Sequence, residues 1–141
     1  MVMRVLMDTS ALFKRYNIEG GRDRVIALGE RASELIIASH CRLEIASALN
    51  RQVHDGALNA EDYARIMVIV AEDFEDFDVI AIDERVEGFS LSAMEVSRLR
   101  AMDALHIGTA KAAHVDLFVT ADRRQANAAQ AVGLKTEWIE A

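Results

Sequence analysis

The fold is decided by an apolar run that ends in an acid and two hydroxyl residues, Val5-Leu6-Met7-Asp8-Thr9-Ser10. Similar short apolar runs recur along the chain, and they are Met3–Met7, Leu35–Ala38, Val79–Ile82, Leu117–Thr120 and, more weakly, Thr136–Ile139. Strands that are apolar throughout and alternate with helices are typical of a parallel sheet covered on both faces. The sequence therefore predicts a single domain over residues 1–141, an α/β protein built as a three-layer α/β/α sandwich with a central parallel sheet.

Amphipathic helices are predicted between these runs. One helix is marked by apolar residues at steps of three and four, namely Tyr63, Met67, Val70, Phe74 and Phe77. Asn59 is placed to cap its start, and Gly56 suits the end of a preceding helix at about 41–55. Further helices are predicted over residues 22–32, 84–98, 101–114 and 123–132. The helix pair on either side of Gly56 is thus expected between the second and third strands.

The composition is that of one globular domain of 141 residues, 52% of them apolar and 28% charged. No apolar run approaches the roughly 18–20 residues needed to cross a bilayer. Arg4 interrupts the first apolar stretch and Asp8 closes it, so we predict no signal peptide and a cytoplasmic protein without membrane contact. Cys41 is the one cysteine, which excludes an internal disulfide, and no Cys/His pattern typical of zinc is present.

The formal net charge of −7 is concentrated in one segment. Residues 72–87 contain eight acids and one base, which leaves 15 acids and 15 bases in the rest of the chain. The ordinary interpretation of such a segment is a solvated face. The overall charge therefore does not exclude a nucleic acid as a partner.

Two acids directly follow predicted strands. Asp8 follows the first strand and Asp122 follows the fourth. In sheets of this kind ligands bind at the carboxyl ends of the strands, so both side chains should reach the same edge. The structural alternative for each acid is helix N-capping, which is a common role for Asp after a strand.

Two more acids lie in the apolar rows of predicted helices. Glu44 has Cys41 three residues before it, and Asp103 has Ile107 four residues after it. Carboxylates are rarely buried without a partner, so acids in these positions need an explanation. The structural alternative is an ion pair, for which Arg42 or Arg100 would be the partner.

Four carboxylates in one place would repel one another unless a cation neutralised them. Ligation by oxygen alone selects Mg²⁺ or Mn²⁺ over zinc, and such ions activate water for attack on a phosphodiester. The hydroxyl residues Thr9, Ser10 and Thr120 are candidates for orienting metal-bound water. His106 is interpreted as a histidine near the core rather than as a ligand.

Four segments then carry a resemblance to a known family. They are Val5-Leu6-Met7-Asp8-Thr9-Ser10-Ala11-Leu12, Leu43-Glu44-Ile45-Ala46-Ser47-Ala48-Leu49, Arg100-Ala101-Met102-Asp103-Ala104-Leu105-His106 and Val119-Thr120-Ala121-Asp122-Arg123-Arg124. Each is weak alone, but in this order and at this spacing the chain resembles the PIN domain. Among PIN domains it looks most like the VapC-type toxins of bacterial toxin–antitoxin pairs.

The resemblance implies an endoribonuclease that depends on Mg²⁺, or Mn²⁺ as a substitute, and that cleaves RNA such as tRNA or rRNA. It implies that Asp8, Glu44, Asp103 and Asp122 are the catalytic, metal-holding residues; no fifth acid is expected, because Arg123 follows Asp122. It also implies a homodimer and a VapB-type antitoxin as partners.

A docking surface for that antitoxin is expected on the helix pair over residues 41–75. Ile66, Val68 and Ile69 lie outside the main apolar stripe of the second helix. Spare apolar surface on a helix pair suits the binding of an amphipathic helix.

Three other functions were weighed against the residues. An aspartyl phosphatase needs a second Asp two residues after the first, where this chain has Ser10. A phosphoacceptor receiver domain would use Asp83, but the expected acid pair and the Lys after the last strand are missing. A catalytically silent PIN-like binding module is disfavoured by the presence of all four acids.

Overall fold

The computed structural model describes residues 3–141 and contains a five-stranded sheet. Its strands are β1 (Arg4–Met7), β2 (Glu34–Ala38), β3 (Asp78–Ile80), β4 (Leu117–Thr120) and β5 (Thr136–Trp138). The strand order is β3-β2-β1-β4-β5, and every neighbouring pair is parallel. The predicted parallel sheet is confirmed, with β1 and its following acid at the centre.

Helices connect the strands. They are α1 (Thr9–Leu12), α2 (Arg22–Arg31), α3 (Cys41–His54), α4 (Ala60–Asp76), α5 (Glu84–Val96), α6 (Ala101–Ala112) and α7 (Arg123–Ala131), with a 3₁₀ turn at Phe13–Arg15. The six longer helices match the predicted ones, and the pair α3 and α4 lies between β2 and β3 as expected. Within residues 3–141 no helix is both long and apolar enough to span a membrane.

The helices form one layer on each face of the sheet. Val5 and Met7 of β1 point into a core shared with α1, α2, α3 and α4, whereas Leu6 points into a core shared with α5, α6 and α7. Successive side chains of a strand lie on opposite faces, so a strand that is apolar throughout is buried on both. The predicted three-layer α/β/α sandwich is confirmed.

The predicted ends of the helix pair are observed. Asn59 caps α4, its side-chain oxygen accepting a hydrogen bond from Asp62 N at 2.7 Å. Gly56 follows α3 with a φ of 77°, a conformation in which residues with a side chain are strained. These two residues set the turn between α3 and α4.

The third strand differs from its predicted bounds of Val79–Ile82. It spans Asp78–Ile80 and lies at the edge of the sheet, paired with β2 alone. Ile82 is exposed, and Asp83 then begins α5 by accepting a hydrogen bond from Val86 N at 2.9 Å. An edge strand forms hydrogen bonds with one neighbouring strand only, so an apolar run there can leave the strand conformation before the run ends.

Candidate active site

Asp8 and Asp122 lie at the carboxyl ends of two adjacent strands, as predicted. Asp8 follows β1 and its backbone N–H donates to Val119 O of β4 at 3.0 Å. Asp122 follows β4 after a single intervening residue, Ala121. The sheet therefore brings both acids to the same edge, Asp8 buried and Asp122 exposed.

Asp8 is surrounded by hydrogen-bond donors. Its Oδ1 accepts from Ser10 Oγ at 2.7 Å and from Ala11 N at 3.0 Å, and its Oδ2 accepts from Thr120 Oγ1 at 2.5 Å. Burial raises the pKa of Asp8, while the charge of His106 and these hydrogen bonds act to lower it. Asp8 thus caps α1, which is the structural role considered for it, and its three hydrogen bonds leave part of the carboxylate's capacity of roughly four acceptor sites unused.

Asp122 caps α7 with one oxygen. Its Oδ1 accepts from Arg124 N at 2.9 Å and from Gln125 N at 3.4 Å, whereas its Oδ2 accepts no hydrogen bond from residues 3–141. The buried side chain of Gln125 donates from Nε2 to the backbone oxygen of Asp103 at 2.8 Å. This bond joins the starts of α6 and α7 and brings Asp122 and Asp103 together.

Asp103 lies in the first turn of α6 and is half-buried. Within the described chain its carboxylate forms neither a hydrogen bond nor an ion pair, so the pairing with Arg100 weighed from the sequence is not observed. Burial raises the pKa of Asp103, the negative charges of Asp122 and Glu44 raise it further, and the charges of His106 and Arg100 offset part of the rise. Asp103 is therefore close enough to both Asp122 and Glu44 to be repelled by each.

Glu44 lies on α3 with one of its oxygens bonded by neighbouring side chains. Its Oε1 is 2.6 Å from Thr9 Oγ1 and 2.7 Å from His106 Nε2. Burial acts to raise the pKa of Glu44, but the hydrogen bonds from His106 and Thr9 hold that pKa below its usual value. Arg42 is not the partner of Glu44, because its guanidinium lies over the ring of Phe74.

Two histidines that the sequence analysis did not place in the site lie beside Glu44. His106 is buried, as expected, but its ring contacts Glu44 and lies 4.3 Å from the ring of His40, centroid to centroid. Their spacing was the available signal: His40 is four residues before Glu44, and His106 is three residues after Asp103. Residues at these spacings share a helix face.

Two groups of side chains at this site could hold a divalent cation. In residues 3–141 the group whose ligand atoms all lie within 4.8 Å of one another is His40, Glu44 and His106. Among the described residues neither histidine has a partner for its Nδ1, whereas metal-bound histidines almost always donate from the second nitrogen. The carboxylate of Asp103, unbonded and beside two other acids, fits a hard cation better.

A groove of about 830 Å³ adjoins Asp103 and Asp122. Arginines also line it, and Arg98, Arg100 and Arg124 form no ion pair within the described residues. All three guanidinium groups are exposed and can therefore reach an external anion. Arginine offers paired N–H donors that match a phosphate.

Several solved structures have the same fold at low sequence identity. VapC20 of Mycobacterium tuberculosis, described as a sarcin-ricin loop cleaving toxin, is 13% identical with a TM-score of 0.68, and the match covers 92% of this chain and 95% of that one. VapBC2 from Rickettsia felis, bound to a DNA fragment from their promoter, is 12% identical with a TM-score of 0.70, covering 98% and 100%. FitAcB from Neisseria gonorrhoeae is 16% identical with a TM-score of 0.68, covering 94% and 95%. At such low sequence identity, these matches show that the fold is shared and nothing more.

The family itself is established by sequence. No protein with a curated description matches the chain. The family model described as the PIN domain, however, matches residues 5–131, a span that runs from β1 to the end of α7 and contains all four acids. The family expected from the acidic motifs is confirmed, and the chain belongs to the PIN domain family.

Proposed function

We propose that the protein is a metal-dependent endoribonuclease that acts in the cytoplasm as the toxin of a VapBC-type toxin–antitoxin pair. PIN domains are typically nucleases. The observation that carries the proposal is the carboxylate of Asp103, half-buried and unbonded within the described chain, with its pKa raised by burial and by Asp122 and Glu44. A protein gains no stability from such an arrangement, whereas a cation bound there would relieve the repulsion.

Mg²⁺ or Mn²⁺ would be held by Asp8, Glu44, Asp103 and Asp122. When bound, such an ion supplies an activated water and stabilises charge on the leaving oxygen of a phosphodiester. The hydroxyl groups were predicted to orient metal-bound water, but two of them bond the acids directly: Thr9 donates to Glu44, and Thr120 donates to Asp8. Their role in this chain is to orient the carboxylates.

RNA is the proposed substrate because of the groove beside the acids. Its guanidinium groups, those of Arg98, Arg100 and Arg124, suit phosphate oxygens, and binding to them should weaken as salt increases. The excess acid of the chain lies elsewhere, in residues 72–87. The solved structure described as a sarcin-ricin loop cleaving toxin, which shares the fold, is in line with RNA.

An antitoxin is proposed as a partner at a second groove, of about 430 Å³, between residues 15–22 and α3 and α4. Ile18 is 96% exposed and Ile69 is 40% exposed, and Arg15, Arg22 and Arg65 also line this groove. Apolar anchors suit an amphipathic segment, and Arg22, which forms no ion pair within the described chain, suits an acid on that segment; Arg15 and Arg65 are paired with Asp73 and Asp62. Ile66 is a weaker anchor than expected, because it packs against the core.

Homodimerisation is proposed on the opposite layer. Leu91 and Val96 of α5 and Met102 of α6 are each at least half exposed. Exposed apolar side chains of this size are suited to an interface between two copies, which buries them by symmetry. Sedimentation of the purified protein measures the state directly.

Cleavage of total RNA by the purified protein tests the proposal. We expect cleavage with Mg²⁺ or Mn²⁺, none in excess EDTA and none by Asp103→Asn. Arg124→Ser should weaken RNA binding and flatten its dependence on salt, whereas Arg31→Ser, which alters an exposed arginine at the end of α2, should not. Cleavage that persists at full rate in EDTA would contradict the metal-dependent mechanism.

A further inference from the structure

Glu44 differs from the other three acids in how its two oxygens are used. Thr9 Oγ1, His106 Nε2 and, at 3.4 Å, His40 Nε2 all approach the same oxygen, Oε1. Within residues 3–141, Oε2 accepts no hydrogen bond. The protein therefore holds one side of this carboxylate and leaves the other side unused.

His106 is itself fixed in place. Its side chain is 2% exposed, and its ring lies against that of His40. His40 is in turn anchored to α6, because its Nε2 lies 2.9 Å from the backbone oxygen of Met102. The two rings thus connect the start of α3, which carries Glu44, to the start of α6, which carries Asp103.

The hydrogen-bond pattern determines which nitrogen of each ring carries a proton. Nε2 of His106 faces a carboxylate and Nε2 of His40 faces a carbonyl, and both groups can only accept. Each Nε2 therefore carries the hydrogen, and each buried Nδ1 has no partner in the described chain. Because Nδ1 of each ring has no partner there, the contacts at Nε2 are the polar contacts that orient the rings.

We propose that His106 is a positioning residue, which together with Thr9 holds Oε1 of Glu44 so that Oε2 is presented to the divalent cation. The inference rests on the proposed function, since it requires a cation at the acids. It assigns His106 to the layer behind the ligands rather than to the ligands, because its Nδ1 lacks the acceptor that metal-bound histidine needs. Partners in that layer typically change metal affinity by about 10–100-fold when replaced.

The test is Mn²⁺ affinity, measured by titration calorimetry on three variants and the wild type. His106→Phe removes the donor and keeps a ring, so we expect Mn²⁺ to bind about tenfold more weakly or worse. His106→Gln keeps an N–H at similar reach and should restore most of the affinity. His54→Phe, the same change at an exposed position at the end of α3, should leave the affinity unaltered.

A melting curve of each metal-free variant separates positioning from simple structural support. If His106 only fills the core, its variants will melt earlier while the folded protein binds Mn²⁺ as the wild type does, and the inference is overturned. If His106 is a ligand, the His106→Gln variant will lose as much Mn²⁺ affinity as the His106→Phe variant, and the wild type will bind Zn²⁺ tightly. That result also overturns the inference.

A second pair of variants covers the case in which His106→Phe does not fold. Thr9→Val removes the other donor to Oε1, and Thr9→Ser keeps it. We expect the Mn²⁺ affinity to fall in Thr9→Val and to persist in Thr9→Ser. Equal affinities in the two variants would refute the inference. Wild-type protein that binds no Mn²⁺ at all would instead refute the proposed function.

Discussion

Asp103 offers the sharpest test of the acid site, because its side chain has no bond to lose within residues 3–141. Asp103→Asn keeps the shape of the side chain and removes one negative charge beside Asp122 and Glu44. We therefore expect the metal-free variant to be at least as stable as the wild type, and to be inactive. Asp8→Asn is a less clean test, because Asp8 caps α1 and accepts three hydrogen bonds.

The size of the effect follows from the position of Asp103. It is only half-buried, so each like-charge contact is screened by water and is worth a few tenths to about 1 kcal/mol. One kcal/mol corresponds to roughly 3–5 °C in melting temperature for a domain of this size. The variant should therefore melt at the same temperature or a few degrees higher.

The effect has a defined dependence on pH. Because the pKa of Asp103 is raised in the folded protein, its contribution favours folding in acid and is lost as the pH rises through that raised pKa. The gain in stability from Asp103→Asn should thus be absent in acid, where both side chains are neutral, and complete at neutral pH. Melting curves of metal-free protein at a series of pH values measure this directly.

Metal provides the second half of the assay. Mg²⁺ at about ten times its Kd would stabilise the wild type by about 1.4 kcal/mol through mass action, a rise of a few degrees. The rise should be smaller for Asp103→Asn and unchanged for Asp55→Asn, which removes one exposed charge just after α3. An Asp103→Asn protein destabilised by about 3 kcal/mol, as after breaking a buried ion pair, and still active would refute the reasoning.

Two further predictions concern packing and partners. Gly108→Ala should destabilise the protein by about 1–3 kcal/mol or more in urea melts, because the added carbon would collide with the hydroxyl of Ser90 where α6 meets α5. Gly88→Ala, on the open side of α5, is its control and should be neutral or stabilising. Replacing both Ile18 and Ile69 with Ser should weaken antitoxin binding in a pull-down from a co-expressed pair while leaving RNA cleavage intact; unchanged binding would exclude that groove.

Most of the fold was predictable because its signals are local. The strands are apolar runs buried on both faces, and the longer helices carry apolar residues at helical spacing. The misplaced element was β3, whose edge position leaves one side unpaired, so hydrophobicity did not mark its end at Ile80. Helix α1 was missed because four residues are too few to show a period.

The site was predictable only in part. The positions of Asp8 and Asp122 follow from the rule that ligands meet the carboxyl ends of parallel strands, and both acids lie there. The contact between His106 and Glu44 joins residues 62 apart and depends on how α3 and α6 meet above the sheet. The helical spacing of the histidines from Glu44 and Asp103 is visible in the sequence, but no local pattern encodes which helices meet, so His106 was assigned an ordinary role.

The structure also changes how the alternatives for the acids relate to one another. Capping and metal binding were weighed as competing roles for Asp122, yet the cap uses Oδ1 and leaves Oδ2 without a bond from the described chain. In the same way, within the part of the chain that the structure describes, Glu44 is bonded at Oε1 alone and Asp103 at neither carboxylate oxygen. A structural role is therefore no argument against a functional one when each role uses a different atom. The relevant quantity at such a site is the acceptor capacity that the fold leaves unused. Asp103, Glu44 and Asp122 each keep at least one whole oxygen unbonded within residues 3–141, and Asp8 keeps part of one.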